Sequence, residues 1–397
     1  MGKISNILAS SQKVQKLYQC MEAESVCRGL PADVRVLAML QRTLASKVLR
    51  KLPSWAAARC LFTRRALEQC SSEALAAYKA SLYQGELCVD LSGGLGVDTL
   101  ALAAHFKQVV SADPDEDLHA LFAFNSLQMG VGNVRRVQAE AATLLQELDS
   151  AADLVYLDPD RRDKEGSKRL VGFRNYSPDP IALFHTYGHL GKVWLVKLSP
   201  LDDLHAIAGA VNGLKHIRVL SKDGEVKELL LEMIPGYAGV IEISAVFFEQ
   251  NISLSYAWNP EAKAERIPYA VQPLEWLFEP AAALIKSGYL KNSRHPLLPL
   301  NASGTLWTAR SREQIPGRWV RLFSVNTNCS LRKLKKLLQE RDISSGLVKS
   351  RDFPLSSEQA RTVLGLAEGE AYAVYLTTQG KTSLMMIGSM DDAHRDD

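Results

Sequence analysis

The residues in this 397-residue chain best placed to do chemistry are four acids in step with four short apolar runs. Asp90 closes the run Leu87–Leu91 and leads into Ser92-Gly93-Gly94-Leu95-Gly96-Val97-Asp98-Thr99. Asp113 follows Val109–Ala112, Glu140 follows Val134–Val137, and Asp158 follows Leu154–Leu157. Glycines where a strand hands over to a helix let a ligand approach the backbone, and the helix start favours negative groups. A dinucleotide fingerprint needs a third glycine where Thr99 stands, so the pattern departs from it. An acid at the end of the first strand, just before the turn, instead suits a ligand with a cationic end. That ligand is S-adenosyl-L-methionine, whose ammonium a carboxylate holds; a nicotinamide cofactor offers no such cation. The expected cofactor-binding set is Asp90, Ser92, Gly93, Gly94, Gly96, Asp98, Asp113, Glu140 and Asp158. Within it Asp113 meets the ribose hydroxyls, Glu140 the adenine amine, and Asp158 lies beside the transferred methyl. The competing reading makes Asp90, Asp113 and Asp158 loop acids that cap helices.

Methyl transfer is an in-line displacement, so the protein contributes positioning and deprotonation of the acceptor. Candidate catalytic residues are Asp158, Asp160, Arg161 and Lys197. Asp160 is a general base or a helix cap. Lys197 orients a substrate or phosphate, or only ends a strand. Arg161 and Arg162 open a segment to Arg174 with six basic and two acidic residues, a solvated loop or a phosphate contact. Asp158-Pro159-Asp160-Arg161 lacks the second proline and the aromatic of base-amine methylating motifs. No cysteine is close in sequence to this strand, which argues against thiol-mediated methylation. A Lys-Asp-Lys-Glu set for 2′-hydroxyls would use Asp158, Lys197 and Glu228, but its first lysine is not assignable. His185, His189 and His295 show no metal spacing, so no metal is expected.

The elements that must carry these residues follow from periodicity. Residues 12–80 read as helices, with Val34, Leu37, Leu40, Leu44 and Val48 at helical steps, a start near Pro31 and Asp33, and a stop at Pro53. From Leu87 short apolar runs alternate with helical stretches, which means βαβ units and a mostly parallel sheet. Further strands are expected at Val193–Leu198, Ile217–Leu220, Glu228–Met233 and Ile241–Phe248, the last two joined as an antiparallel hairpin through Pro235–Gly239. Residues 259–320 read as a small α+β module. Beyond it come Leu322–Val325, a helix Leu331–Arg341, and strands at Tyr372–Thr377 and Ser383–Gly388. The division is 1–75 helical, 76–258 sheet domain, 259–320 and 321–390.

The net charge of +3 excludes a uniformly basic coat and an acidic solvating chain. Residues 1–75 hold 12 basic and 5 acidic residues, and residues 321–351 hold 8 and 2, so any polyanion contact belongs near the two ends. On the helix Leu331–Leu338, Arg332, Lys333, Lys335 and Lys336 make either a solvated face or an RNA-backbone contact. The six cysteines form no C-x-x-C pair and read as free thiols of a cytoplasmic protein. No apolar run is long enough for a membrane span, and Met1–Cys20 does not read as a secretory signal.

The sequence resembles a bacterial family of class I S-adenosylmethionine-dependent methyltransferases with a C-terminal THUMP-like domain. The likeness covers about residues 30–388. Its marks are Lys51-Leu52-Pro53-Ser54-Trp55, Glu68-Gln69-Cys70-Ser71-Ser72-Glu73, Tyr78-Lys79, the stretch Asp90–Thr99, Leu157–Asp163, Lys197–Pro200, Glu279-Pro280, Lys286-Ser287-Gly288 and Phe353-Pro354-Leu355. Ser92 stands where the family pattern has threonine, and Asp160 where it has a small residue, adding a carboxylate at the presumed methyl site. The resemblance implies a Rossmann-like α/β methyltransferase sheet, an N-terminal helical region, a ferredoxin-like segment near 270–318, and the THUMP-like α+β domain. It also implies an RNA substrate, tRNA included. The alternatives are a methyltransferase of small molecules or proteins, and an RNA-binding module that keeps the cofactor site without turnover. Oligomeric state is not legible.

Overall fold

The structure is a computed structural model that describes residues 4–161, 176–259 and 267–390. Arg162, Asp163 and the rest of the basic stretch to Arg174 lie outside the described residues. The chain divides into two compact units, Met1–His216 with Leu230–Gly239, and Ile217–Leu229 with Val240–Asp397.

The first unit opens with helices α1 (Ile4–Leu8), α2 (Ser11–Glu22), α3 (Ala32–Lys51), α4 (Pro53–Ala57), α5 (Arg64–Gln69) and α6 (Glu73–Ser81). Local chemistry sets their ends. Pro31 precedes α3 and Asp33 sits in its first turn, while Thr63 and Ser72 cap α5 and α6 by accepting from the N–H groups of Ala66 and Leu75. The buried stripe of α3 is Val34, Leu37, Ala38, Gln41, Leu44 and Val48. Leu44, Val48, Leu52, Trp55, Phe62 and Leu67 form one core with Leu95, Val97, Leu100 and Phe122. The opening helices thus clamp the glycine turn and the helices beside it, each buried side chain contributing about 1.5–3 kcal/mol.

Cys20 and Cys27 are joined as a disulfide. This corrects the expectation of six free thiols: a 3-10 helix at Glu24–Gly29 folds Cys27 back onto the end of α2. Cys60, Cys70, Cys88 and Cys329 are free. No described helix is long and apolar enough to cross a membrane.

The sheet follows as β1 (Gly85–Asp90), α7 (Val97–Ala103), β2 (Phe106–Ala112), α8 (Glu116–Gln128), β3 (Val134–Val137), α9 (Ala141–Gln146) and β4 (Ala152–Leu157). A two-residue ladder, β5 (Asp160–Arg161) with β6 (Tyr176–Ser177), precedes α10 (Pro180–Tyr187), β7 (Gly191–Leu198) and α11 (Leu204–Ala210). Then come β8 (Leu214–Lys222) and β9 (Glu225–Met233). The strand order is β3-β2-β1-β4-β7-β9, and β3 through β7 are parallel. One register row crosses the middle of this sheet: Arg136, Ser111, Asp90 and Tyr156. In-register residues on parallel strands project to one face, so four polar side chains gather under the glycine turn.

The expected hairpin between Glu228–Met233 and Ile241–Phe248 does not form. β9 turns back on β8 through Asp223-Gly224, both at positive φ, and β8 lies between β9 and β10 (Ile241–Phe247). An Asp-Gly pair in a two-residue loop matches the twist of its strands, whereas Pro235–Gly239 only connects. β10 pairs antiparallel with β11 (Ile252–Trp258), a strand missing from the expected set although Ile252-Ser253-Leu254-Ser255-Tyr256-Ala257-Trp258 alternates with period two.

The second unit continues with β12 (Trp276–Pro280), α12 (Ala282–Ser287), α13 (Tyr289–Asn292), β13 (Leu298–Pro299), β14 (Trp307–Ala309) and β15 (Gly317–Thr327). It ends with α14 (Leu331–Glu340), β16 (Leu347–Ser350), α15 (Ser357–Leu364), β17 (Tyr372–Gln379) and β18 (Thr382–Met390). Seven of its strands form one sheet, in the order β13-β14-β12-β15-β18-β17-β16, and β15 is continuous across residues 320 and 321. Leu334, Leu338 and Leu364 cover one face with Val374 and Ile387; Leu277, Val320, Tyr375 and Met386 fill the other. Glu279 of β12 accepts from Arg318, Arg351 and the Tyr375 hydroxyl, which ties three strands and the loop after β16 to one carboxylate.

Candidate functional site

At the carboxyl ends of β1 to β4 lies a cavity of about 800 Å³. The fold brings to its wall Ser92, Gly93, Gly94, Gly96, Asp98, Asp113, Glu140, Asp158, Asp160 and Arg161. Asp90 and Lys197 are not on the wall. The wall also carries Asp115 and Asp117, which the sequence reading did not select, and Arg65, Gln69 and Cys70 from the opening helices.

Asp90 lies beneath the turn, 1% exposed. Its carboxylate accepts from the Ser92 N–H at 3.0 Å and from the Thr99 hydroxyl, with Ser111 at 3.5 Å. Burial pushes its carboxyl up to about 6, against the opposing pull of the Thr99 and Ser92 bonds and of Arg136. Gly94 and Gly96 bend the turn at φ +48° and +95°, and a Cβ on Gly96 would lie 2.4 Å from the Phe122 ring. Only glycine takes that conformation at that distance.

Asp98 begins α7 and is gripped from below. Lys79 of α6, 1% exposed, sits 2.8 Å from one oxygen of Asp98. The Ser71 and Tyr156 hydroxyls donate to the other at 2.8 and 3.1 Å. Burial alone would raise this carboxyl; Lys79, Lys197 and the Ser71 bond hold it below its ordinary value. Lys79, one of the marks of the sequence resemblance, thus ties the helical region to the turn from a buried position.

Asp113 accepts from the N–H groups of Gly94 and Asp115, both at 2.9 Å. It has no helix to cap: the N-cap of α8 is Asp115. Glu140 occupies the N-cap position of α9 without a side-chain cap bond, exposed on the wall.

At the other end, the Asp158 N–H donates to Ser92 Oγ at 2.6 Å, and Lys197 Nζ approaches the Asp158 carboxylate at 2.6 Å from behind. Asp160 sits in β5 and caps no helix. Its side chain is 65% exposed and meets Arg65 at 3.6 Å and Gln69 at 3.5 Å.

Cys70 corrects an inference from spacing. It is remote from the methyl strand in sequence, yet α5 places it on the cavity wall. Lys51 holds that segment by donating to the carbonyls of Leu67 and Glu68 at 2.7 and 3.2 Å. Burial raises the Cys70 thiol, the reverse of an activated nucleophile. Among the described residues no His, Cys, Asp and Glu cluster could hold a metal.

These features define a class: a class I methyltransferase fold with its acids at the carboxyl edge of the sheet and a separate C-terminal α+β region. Residues 320–389 match the family described as THUMP domain-like. Two Mycobacterium tuberculosis proteins, from strains CDC 1551 and H37Rv, are each named an uncharacterized S-adenosylmethionine-dependent methyltransferase. Each is 24% identical to this chain over 351 residues, 87% of this chain and 92% of its own. A crystal structure from Porphyromonas gingivalis W83, provisionally named a methyltransferase, matches with TM-score 0.84 and 24% identity over 96% of this chain and 99% of its own. That likeness shows the fold, and the THUMP-like match falls on the C-terminal stretch where the sequence resemblance puts that domain.

Proposed function

We propose that this protein is an S-adenosylmethionine-dependent methyltransferase that modifies RNA, tRNA being a candidate class. The enzyme class rests on the fold, the named relatives and the cavity's own chemistry. The observation that carries it is the charge of the wall: Asp98, Asp113, Asp115, Asp117, Glu140, Asp158 and Asp160 face one space with only Arg65 and Arg161 among the described wall cations. An acidic cavity over a glycine turn suits a cationic adenosyl ligand and opposes a nucleotide phosphate.

S-adenosylmethionine supplies, when bound, an electrophilic methyl on a sulfonium. In this reading the turn Ser92–Gly96 holds the amino-acid end by backbone contact, and Asp90 shapes the turn from below. Asp113 accepts from the ribose hydroxyls, and Glu140 from the adenine amine. Lys197 fixes the Asp158 carboxylate toward the cavity, where it orients the acceptor. Asp160, hydrated at the rim, is the general base that takes the acceptor proton, and Arg161 beside it contacts a phosphate.

RNA as acceptor is supported by the THUMP-like region and by the two basic surpluses, at residues 1–75 and 321–351. On α14, Arg332, Lys333 and Lys336 are exposed while Leu334 and Leu338 are buried, leaving a cationic face. Incubation of total RNA with methyl-labelled cofactor tests the whole reading: label in RNA is the expected result. Label only in protein or small molecules would move the acceptor to the rival class, and cofactor binding without any transfer would leave a module without turnover. Binding to tRNA should weaken steeply as salt rises, and no binding at low salt refutes the RNA acceptor.

A further inference from the structure

We propose that Arg136 is a positioning residue for the cofactor: its buried guanidinium locks the glycine turn to Asp113, and position 93 is glycine to make room for it. The proposal rests on the cofactor reading above and goes beyond it, since no motif selects Arg136.

Arg136 stands on β3 in register with Ser111, and its side chain is 5% exposed. One Nη donates to Ser111 Oγ and the other to the Gly94 carbonyl, both at 2.8 Å. The second Nη also lies 3.8 Å from Asp113 Oδ2, the oxygen that accepts from the Gly94 N–H. The guanidinium stacks 4.8 Å from the Phe122 ring, the ring that packs against Gly96. Arg136 therefore touches the peptide that bends the turn, the acid expected to hold the ribose, and the ring that limits the turn's other glycine. A Cβ on Gly93 would lie 1.6 Å from Nη1 of Arg136 and 2.2 Å from Ser111 Oγ. The sheet register and the absent Cβ are two halves of one fitting. A lysine cannot make the forked contact, because its single ammonium reaches one partner direction at a time.

The test uses the full chain with S-adenosylmethionine, adenosine and 2′,3′-dideoxyadenosine as titrants, and circular dichroism to confirm folding. Arg136→Ala should weaken S-adenosylmethionine and adenosine by about tenfold or more, the scale of a lost charged hydrogen bond. It should also erase the preference for adenosine over its dideoxy analogue. Arg136→Lys should recover little of that preference. Gly93→Ala should lose binding alone, and its loss should be less than additive with Arg136→Ala, because the 1.6 Å clash with Nη1 is gone while the 2.2 Å approach to Ser111 Oγ stays. Folded Arg136 variants with wild-type affinity and wild-type diol preference, or additive losses in the double variant, would overturn the proposal while leaving the cofactor reading intact. Wild-type protein that binds no S-adenosylmethionine would overturn both. Should Arg136→Ala fail to fold, Arg136→Lys and Gly93→Ala carry the same diol comparison.

Discussion

The two ends of the cavity are built to different standards. At the glycine turn every acid is tied down: Asp90 by Thr99 and Ser92, Asp98 by Lys79, Ser71 and Tyr156, Asp113 by two backbone N–H groups. At the rim, Asp160 is mostly exposed and meets Arg65 and Gln69 at 3.6 and 3.5 Å. Exposed pairs of this kind stabilise little, whereas buried, bonded ones fail badly when one partner is lost. The contrast fits a division of labour in which a constant ligand meets a preorganised end and a variable acceptor meets an adaptable one.

The sharpest way to break this contrast is Lys79→Met. It leaves Asp98 buried without its cation, and denaturant unfolding should show a loss of about 3–5 kcal/mol. The pH profile supplies a second reading. Asp98 has a lowered carboxyl in the folded chain, so it contributes stability above its ordinary titration range, lost as pH falls. Lys79→Met should remove that acid-side loss.

Asp90 should show the opposite sign. Its carboxyl is raised to about 6, so the folded chain holds the proton more tightly than the unfolded one. The stability it contributes is full below about pH 4 and declines as pH rises through 6, by up to about 3 kcal/mol. Melting curves of Asp90→Asn should lack this decline; a profile parallel to wild type between pH 4 and 7 would refute it.

Next in size is Asp158→Asn, which removes the carboxylate that Lys197 Nζ meets at 2.6 Å. Single-turnover transfer should slow by about a hundredfold with cofactor affinity changed far less. A loss confined to cofactor affinity would move Asp158 to the binding end. The smallest effect on folding belongs to Arg65→Ala, within about 1 kcal/mol of wild type by chemical denaturation. A large destabilisation there would erase the contrast between the two ends.

Much of the fold was legible. The helical stripe of α3, the alternation of strands and helices after β1, and the glycine turn are local patterns, and each appears where its period or turn chemistry puts it. The two hairpin candidates differ in turn chemistry: Asp223-Gly224 is a stronger hairpin signal than Pro235–Gly239, but apolar runs flank both turns, so hydrophobicity does not choose between them. Lys79, Arg136, Asp117 and Cys70 were not legible as parts of one site. A lysine in a helix, an arginine in a short strand and a cysteine at a helix end carry no periodic signal for what they will face.

What the sequence determined by itself was the order of elements and the acids at their ends, because periodicity and turn chemistry act over a few residues. Only the tertiary structure decided which acids face the cavity and which lie beneath it. Strand register set Arg136, Ser111, Asp90 and Tyr156 in one row, and helix packing drove Lys79 under Asp98. Both depend on contacts between residues far apart in the chain, where burial and pairing set the energy of a charge and no local pattern records it.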